Sequence, residues 1–93
     1  MSIRIVVYGV QGDGTAYSAM SQIRSLVTEM GADCDVDIVT NEQMLKINGI
    51  EDTPSVYMDG MMISVGYAPS RMQMKRAIQQ RLDQVKPRAI GNS

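Results

Sequence analysis

The chain has 93 residues, of which 44% are hydrophobic and 20% charged, and this predicts one folded domain around one modest core. Nine Lys and Arg residues against ten Asp and Glu residues give a net charge of −1, which excludes the strongly basic surface of a general nucleic-acid binder. No stretch approaches the roughly 18 apolar residues of a membrane span, and the apolar start is too short for a signal peptide. We therefore expect a cytoplasmic protein without a membrane partner.

A strand and a helix are predicted at the start of the chain. Residues 3–8 form a β-branched run that stops at Gly9, as in a strand buried on both faces. Apolar residues then recur at three- and four-residue steps between Ala16 and Met30 and stop at Gly31, which predicts a helix with a glycine C-cap.

A second strand and a short helix are predicted next. Polar and apolar residues alternate over 35–39, and the helix before them makes this strand parallel to the first. Thr40 and Gln43 have the spacing of a capping box, so we expect them to begin a helix that ends near Gly49.

A hairpin and a last helix are predicted in the second half. Two apolar runs flank Asp59-Gly60, which is a strong hairpin signal. Ser70 and Gln73 again have capping-box spacing, and they precede an apolar stripe that reaches Val85.

The predicted order of elements is β-α-β-α-β-β-α. It describes an α/β domain with a four-stranded mixed sheet and helices on both faces. We expect the domain to span residues 1–85 and residues 86–93 to form a disordered tail.

Three short motifs stand in order along this pattern. Val7-Tyr8-Gly9 precedes the first helix, Thr53-Pro54 opens the hairpin, and Val65-Gly66-Tyr67-Ala68-Pro69-Ser70 leads into the last helix. Together with the order of elements, they resemble the thioredoxin fold, and in particular the small thioredoxin-like proteins of bacteria and archaea often called redox-active disulfide proteins. The resemblance spans residues 3 to 82.

The chain departs from this family at its reactive motif. The family carries Cys-x-x-Cys in the loop after the first strand, where the helix N-terminus favours a thiolate. Counting from the end of the first strand places the two cysteine positions at Gly12 and Thr15, and counting back from the end of the helix places them at Asp13 and Ala16. Neither pair contains sulfur, so the resemblance implies the fold without the dithiol reaction.

The retained proline defines the candidate binding surface. The resemblance implies a cis bond before Pro54, close to the glycine-rich loop, with the backbone of Thr53 binding an extended peptide or glutathione. The alternative is that Thr53-Pro54 only begins a strand with an accessible edge. Tyr17 and Tyr67 are expected nearby, where amphipathic rings suit recognition, although simple packing of half-exposed rings is equally consistent with the sequence. The candidate partner-binding residues are Gly12, Asp13, Gly14, Thr15, Tyr17, Thr53, Pro54, Gly66 and Tyr67.

Two other features could indicate a functional site, but the sequence around each favours a structural role. The glycine-rich loop lacks the Lys-Ser/Thr ending of a phosphate loop, and the Asp13 carboxylate would repel an anion there, so we expect a strand-to-helix turn capped by Asp13 or Thr15. Cys34 is the only thiol and the chain has no histidine. It begins the second strand, at the opposite end of the sheet from the loop, so we expect a structural cysteine and no metal site.

The sequence therefore predicts a redox-inactive binding module without a cofactor, and not a dithiol–disulfide oxidoreductase. It holds a protein segment or a partner subunit around the cis-proline surface, and its last strand offers an edge for a homodimer. The alternative is a transferase-like enzyme in which Thr15 or Tyr17 hydrogen-bonds the thiolate of glutathione or another small thiol. A third possibility is that a partner supplies the cysteine chemistry.

Overall fold

The computed structural model describes residues 2–85, so the predicted tail 86–93 lies outside the described residues. The elements follow one another in the predicted order. The strands are β1 (Ile3–Tyr8), β2 (Cys34–Val39), β3 (Ser55–Met58) and β4 (Met61–Val65), and the helices are α1 (Gly14–Met30), α2 (Glu42–Ile47) and α3 (Arg71–Val85).

The four strands form one mixed sheet in the order β2-β1-β3-β4. Strand β1 is parallel to β2 and antiparallel to β3, and β3 and β4 form an antiparallel hairpin. The predicted fold class is therefore confirmed. Within residues 2–85, no helix is long and apolar enough to cross a bilayer.

The main core lies between one face of the sheet and the helices α1 and α3. Ile3, Ile5 and Val7 of β1 point into it and are fully buried, together with Met74 and Ile78 of α3. The three β1 residues alternate with residues that face the other side of the sheet. The two faces of β1 therefore lie in different environments.

The prediction that β1 is buried on both faces is wrong. Arg4 is exposed, and Val6 and Tyr8 are only half-buried. On this second face the Tyr8 and Tyr57 rings meet edge to face, with centroids 5.5 Å apart, beside a recess of about 450 Å³ that Ile50 also lines. The two long helices pack on the opposite face, so an apolar residue in β1 does not by itself guarantee burial.

Helix α1 begins and ends as its sequence indicates. The Asp13 carboxylate accepts a hydrogen bond from the Thr15 N–H at 2.9 Å, so Asp13 is the N-cap. Gly31 adopts a left-handed conformation with φ 63°, and its N–H donates to the Thr28 carbonyl.

The two predicted capping boxes are only partly present. The N-cap of α2 is Asn41, whose side-chain oxygen accepts from the Met44 N–H at 3.1 Å, and not Thr40. Both residue types cap helices well, and spacing alone did not separate them. Ser70 does begin α3, because its hydroxyl accepts from the Gln73 N–H at 3.1 Å. The Gln73 side chain points elsewhere and does not complete the box.

The hairpin turn is held by an aspartate. Asp59 and Gly60 have φ values of 49° and 82°, as in a type I′ turn. The Asp59 carboxylate accepts from the Arg4 N–H at 2.9 Å and from Arg81 Nε at 2.8 Å, and its own N–H donates to the Arg4 carbonyl. The Arg4 and then the Arg81 hydrogen bond hold the pKa of Asp59 below its ordinary value. The turn is thereby tied to both β1 and α3.

We predict that Asp59→Asn lowers the free energy of unfolding by about 1 kcal/mol at pH 7, because it removes the charge on these hydrogen bonds while tolerating the positive φ. A depressed folded-state pKa stabilises the protein above the unfolded-state pKa of about 3.9, and this stabilisation is lost as the pH falls through the folded value. Urea denaturation at pH 7 and pH 3 should therefore show the difference shrinking. Asp83→Asn is the control, and a pH-independent difference for Asp59→Asn contradicts the prediction.

Two buried serines have opposite hydrogen-bonding states. The Ser55 hydroxyl donates to the Asp52 carbonyl at 2.5 Å, whereas the Ser64 hydroxyl has no hydrogen-bond partner within the described residues. Both side chains are almost completely buried. A buried polar group without a hydrogen-bond partner destabilises the folded state, whereas a buried hydrogen bond stabilises it.

We predict that Ser64→Ala raises the free energy of unfolding by about 1 kcal/mol, whereas Ser55→Ala lowers it by about 1–2 kcal/mol. The change in volume is the same in both variants, so the hydrogen bond is the difference between them. Urea denaturation of the two single variants measures both effects. Equal destabilisation by the two substitutions would contradict this assignment.

Candidate functional site

The predicted site residues lie at the end of the sheet where β1 and β4 end and β3 begins. Tyr8 of β1 pairs with Ser55 of β3, and Ser55 pairs with Val65 of β4. The residues just beyond these pairs therefore lie side by side at one end of the sheet. The Thr53–Pro54 peptide bond is cis, Pro54 is buried and Thr53 is half-exposed.

The loop after β1 is held against this end of the sheet by a close contact between Gly9 and α1. The Gly9 N–H donates to the Val39 carbonyl at 3.1 Å. A Cβ at Gly9 would lie 2.3 Å from the Ala16 Cβ, so only glycine permits helix and strand to approach this closely. The contact places the first turn of α1 directly over the end of β1.

A tight turn fills the space between Gly9 and the helix. The Asp13 N–H donates to the Val10 carbonyl at 3.0 Å, and Gly12 adopts a φ of 84°. Gly12, Gly14 and Thr15 are exposed, whereas Asp13 is half-buried. The structure thus brings the predicted loop residues to the same end of the sheet as Pro54.

The electrostatics of this helix end differ from those of a reactive thiol site. The N-cap position is occupied by the Asp13 carboxylate, which accepts the Thr15 N–H that would otherwise support a thiolate. If the two cysteine positions of the family motif are counted back from the end of α1, one falls on this Asp13 and the other on Ala16, which is completely buried. The positive end of the helix dipole already carries its own anion.

The two predicted recognition tyrosines are placed differently. The Tyr17 side chain is 43% exposed on α1, and no hydrogen bond to its hydroxyl is found within residues 2–85. Tyr67 is 51% exposed, but its hydroxyl accepts from Gln73 Nε2 at 3.2 Å, which ties it to α3. Gly66, with φ 81°, lies against Asp52: a Cβ there would lie 3.5 Å from the Asp52 Cβ. Gly66 is therefore brought to the proline loop.

Cys34 lies far from this surface. It pairs with Ile3 at the opposite end of β1 and is half-buried. Burial, followed by the charges of Asp33, Asp59 and Asp35, raises the pKa of the Cys34 thiol. Its environment therefore disfavours the thiolate that redox chemistry needs. Within the described part of the chain, no group of three or more metal-ligating side chains is found.

Sequence analysis missed two side chains that support the site. Ser55 binds the Asp52 carbonyl and fixes the loop that carries Thr53 and Pro54. Gln73 donates to the Ile63 carbonyl as well as to Tyr67, with both distances 3.2 Å. A serine directly after a proline gave no signal, and the spacing of Gln73 from Ser70 indicated a capping role instead.

A family model described as a thioredoxin domain matches residues 3–79. By its fold, the protein is therefore a thioredoxin-like domain. The chain belongs to the thioredoxin-domain family. No curated protein matches it.

Solved structures share the fold at low sequence identity. A protein of unknown function from Staphylococcus aureus is 16% identical, with a TM-score of 0.65, over 89% of this chain and 94% of that chain. A mutant thioredoxin from Halobacterium salinarum is 14% identical, with a TM-score of 0.66, over 85% of this chain and 74% of that chain. A thioredoxin from Fasciola hepatica is also 14% identical, with a TM-score of 0.60, over 85% and 80%.

We predict that Gly9→Ala lowers the free energy of unfolding by about 1–3 kcal/mol, because its methyl group overlaps the Ala16 methyl group. Ala16→Gly alone costs about 1 kcal/mol through helix propensity, but it removes the overlapping group. The double variant should therefore be more stable than the sum of the single effects allows. Urea denaturation of the complete cycle measures this coupling, and simple additivity would show that the contact is not the cause.

Proposed function

We propose that this domain is a redox-inactive binding module that holds an extended segment of a protein partner, or of a partner subunit, at the surface around Pro54. The observation that carries the proposal is that the loop of Thr53 and Pro54 lies at the same end of the sheet as a helix end that contains no sulfur. The loop is still fixed by the Ser55 hydrogen bond, and the helix end is capped by Asp13. The binding geometry and the redox chemistry are thereby separated.

The exposed side chains around this end of the sheet support binding to a protein. Val10 is 50% exposed in the loop, and Tyr67 is 51% exposed beyond β4. A globular domain gains little by exposing either side chain, and tyrosine rings such as that of Tyr67 contribute strongly at interfaces. Thr53, which is half-exposed, precedes the strand that lies between β1 and β4, so its backbone is placed for pairing with an extended chain.

The Asp13 cap argues against the alternative of a small-thiol enzyme. A glutathione thiolate near Thr15 would meet a carboxylate that already accepts the Thr15 N–H. Glutathione added to ¹⁵N-labelled protein should accordingly leave the Thr15 and Tyr17 amide signals unchanged. Saturable shifts at these two residues would instead support the small-thiol enzyme.

We predict that the protein does not reduce protein disulfides. The assay is reduction of insulin with dithiothreitol as the dithiol donor, using the wild type and Cys34→Ser. Both should match the rate of dithiothreitol alone, because the only thiol has a raised pKa and lies at the far end of β1. Turnover by the wild type that disappears in Cys34→Ser would overturn the redox-inactive assignment.

Affinity capture from native extract tests the binding surface. A protein specific to this surface should be retained by the wild type and by Cys34→Ser, and lost with Val10→Asp. Ile47→Asp is the matched control, since Ile47 is 76% exposed at the end of α2, and the next residue, Asn48, lines a recess together with Arg4 and the Asp59-Gly60 turn. Retention of the same protein by Val10→Asp, or equal loss with both aspartate variants, would count against a site at Pro54.

A further inference from the structure

A second surface lies between the edge strand β4 and helix α3. It is a groove of about 490 Å³, and we call it the methionine groove. It is lined by Met62, Ile63, Met72, Gln73, Arg76 and Ala77.

The methionine groove exposes more apolar surface than folding requires. Met62 is 61% exposed and Met72 is 63% exposed, and Met61 and Val65 of the same strand are also exposed. Met72 lies beside Arg71 on a helix whose other exposed residues are polar or charged, so burial in the core does not explain it. Flexible thioether side chains of this kind adapt to apolar partners, and exposed apolar patches mark interaction sites.

The edge of β4 is obstructed for strand pairing. The register of β3 and β4 shifts between Val56 and Tyr57, which leaves Ile63 of β4 unpaired as the extra residue of a bulge. The Ile63 carbonyl already accepts a hydrogen bond from Gln73. Bulges and satisfied edge groups prevent an added strand from forming a continuous ladder. An occupant of the methionine groove therefore binds through side chains, as an amphipathic helix does.

The charge beside the groove is positive. Arg71 of α3 forms an ion pair with Glu29, and Arg81 forms one with Asp59. Within residues 2–85, no ion pair is found for Arg76, which lines the groove, or for the neighbouring Lys75. The exposed face of α3 thus offers positive charge to a ligand.

The same charge argues against a second copy of this chain. A symmetric pair of α3 helices whose twofold axis passes beside Arg76 would bring each Arg76 close to the Arg76 of the other copy, and like charges across an interface cost free energy. An acidic segment would instead bring carboxylates close to Arg76, and opposite charges attract. The occupant favoured by charge is therefore a different protein.

We propose that the methionine groove binds an acidic amphipathic helix of a protein partner, whose apolar side chains contact Met62 and Met72 and whose carboxylates face Arg76. This surface goes beyond the proposed function, because it does not depend on binding at Pro54.

The test uses ¹⁵N-labelled full chain and two synthetic peptides of about 18 residues, long enough to form a helix. One carries leucines on one face and glutamates and glutamines on the other, and in the second peptide lysines replace the glutamates. The acidic peptide should shift the amide signals of Met62, Ile63, Arg76 and Ala77, with a Kd that rises with salt concentration. The lysine peptide should leave these signals unchanged.

Variants separate the two contributions. Met72→Ser should weaken binding of the acidic peptide about tenfold through lost apolar contact, and Arg76→Gln should weaken it about two- to fivefold. The matched controls are Met44→Ser, since Met44 is 44% exposed on α2, and Lys46→Gln. Neither control should change the Kd.

Three results would overturn the proposal. The first is the absence of shifts at the methionine groove with the acidic peptide. The second is equal binding of the lysine peptide, which would remove the charge argument. The third is a concentration-dependent change of the groove signals without peptide, accompanied by a doubled mass in solution, which would identify the occupant as a second copy of the chain.

Discussion

The contact between Gly9 and Ala16 is the constraint on which the site depends. Without a side chain at Gly9, the first turn of α1 rests directly on the end of β1, and Ala16 becomes completely buried. The pairing of β1 with β3 then brings the Thr53–Pro54 bond to the same place. A single absent methyl group thus sets the distance between the helix end and the proline loop, because close-packed interiors leave no room to relax around an additional carbon.

Carboxylates near both ends of β1 disfavour a thiolate there. At one end, the Asp13 carboxylate accepts the Thr15 N–H of α1 and places a negative charge at the helix N-terminus, where the helix dipole would otherwise favour a thiolate. At the other end, Cys34 lies among Asp33, Asp35 and Asp59, which disfavour its ionisation. The Asp13 cap stabilises the start of α1, and neither environment favours a thiolate. The proposed binding function therefore requires the fold and its proline loop, but no reactive thiol.

Much of this architecture follows from local rules, and its exceptions have physical reasons. Gly31, Asp59-Gly60 and Ser70 each mark the end or beginning of an element, because few residue types adopt a left-handed conformation or satisfy free helix N–H groups. Thr40 and Asn41 are both competent caps, so the choice between them depends on the path of the chain after β2. The exposed second face of β1 depends on which elements pack there, and no periodicity within β1 encodes it. Gln73 is similar: its spacing fits a cap, but its donor group reaches β4, a contact that only tertiary structure creates.

The loss of sulfur changes what a binding surface on this fold must provide. A thiolate holds its partner covalently for the duration of exchange, whereas the surface around Pro54 has only backbone groups and a few exposed side chains. Noncovalent contacts lack this bond, so a second point of attachment on the same domain would slow the dissociation of a bound partner. Gln73 joins the two candidate surfaces, because it binds both Tyr67 beyond β4 and the Ile63 carbonyl in the methionine groove. For a partner that engages both surfaces, the fold already fixes the distance between them. The second contact therefore loses less conformational entropy than it would on a flexible segment.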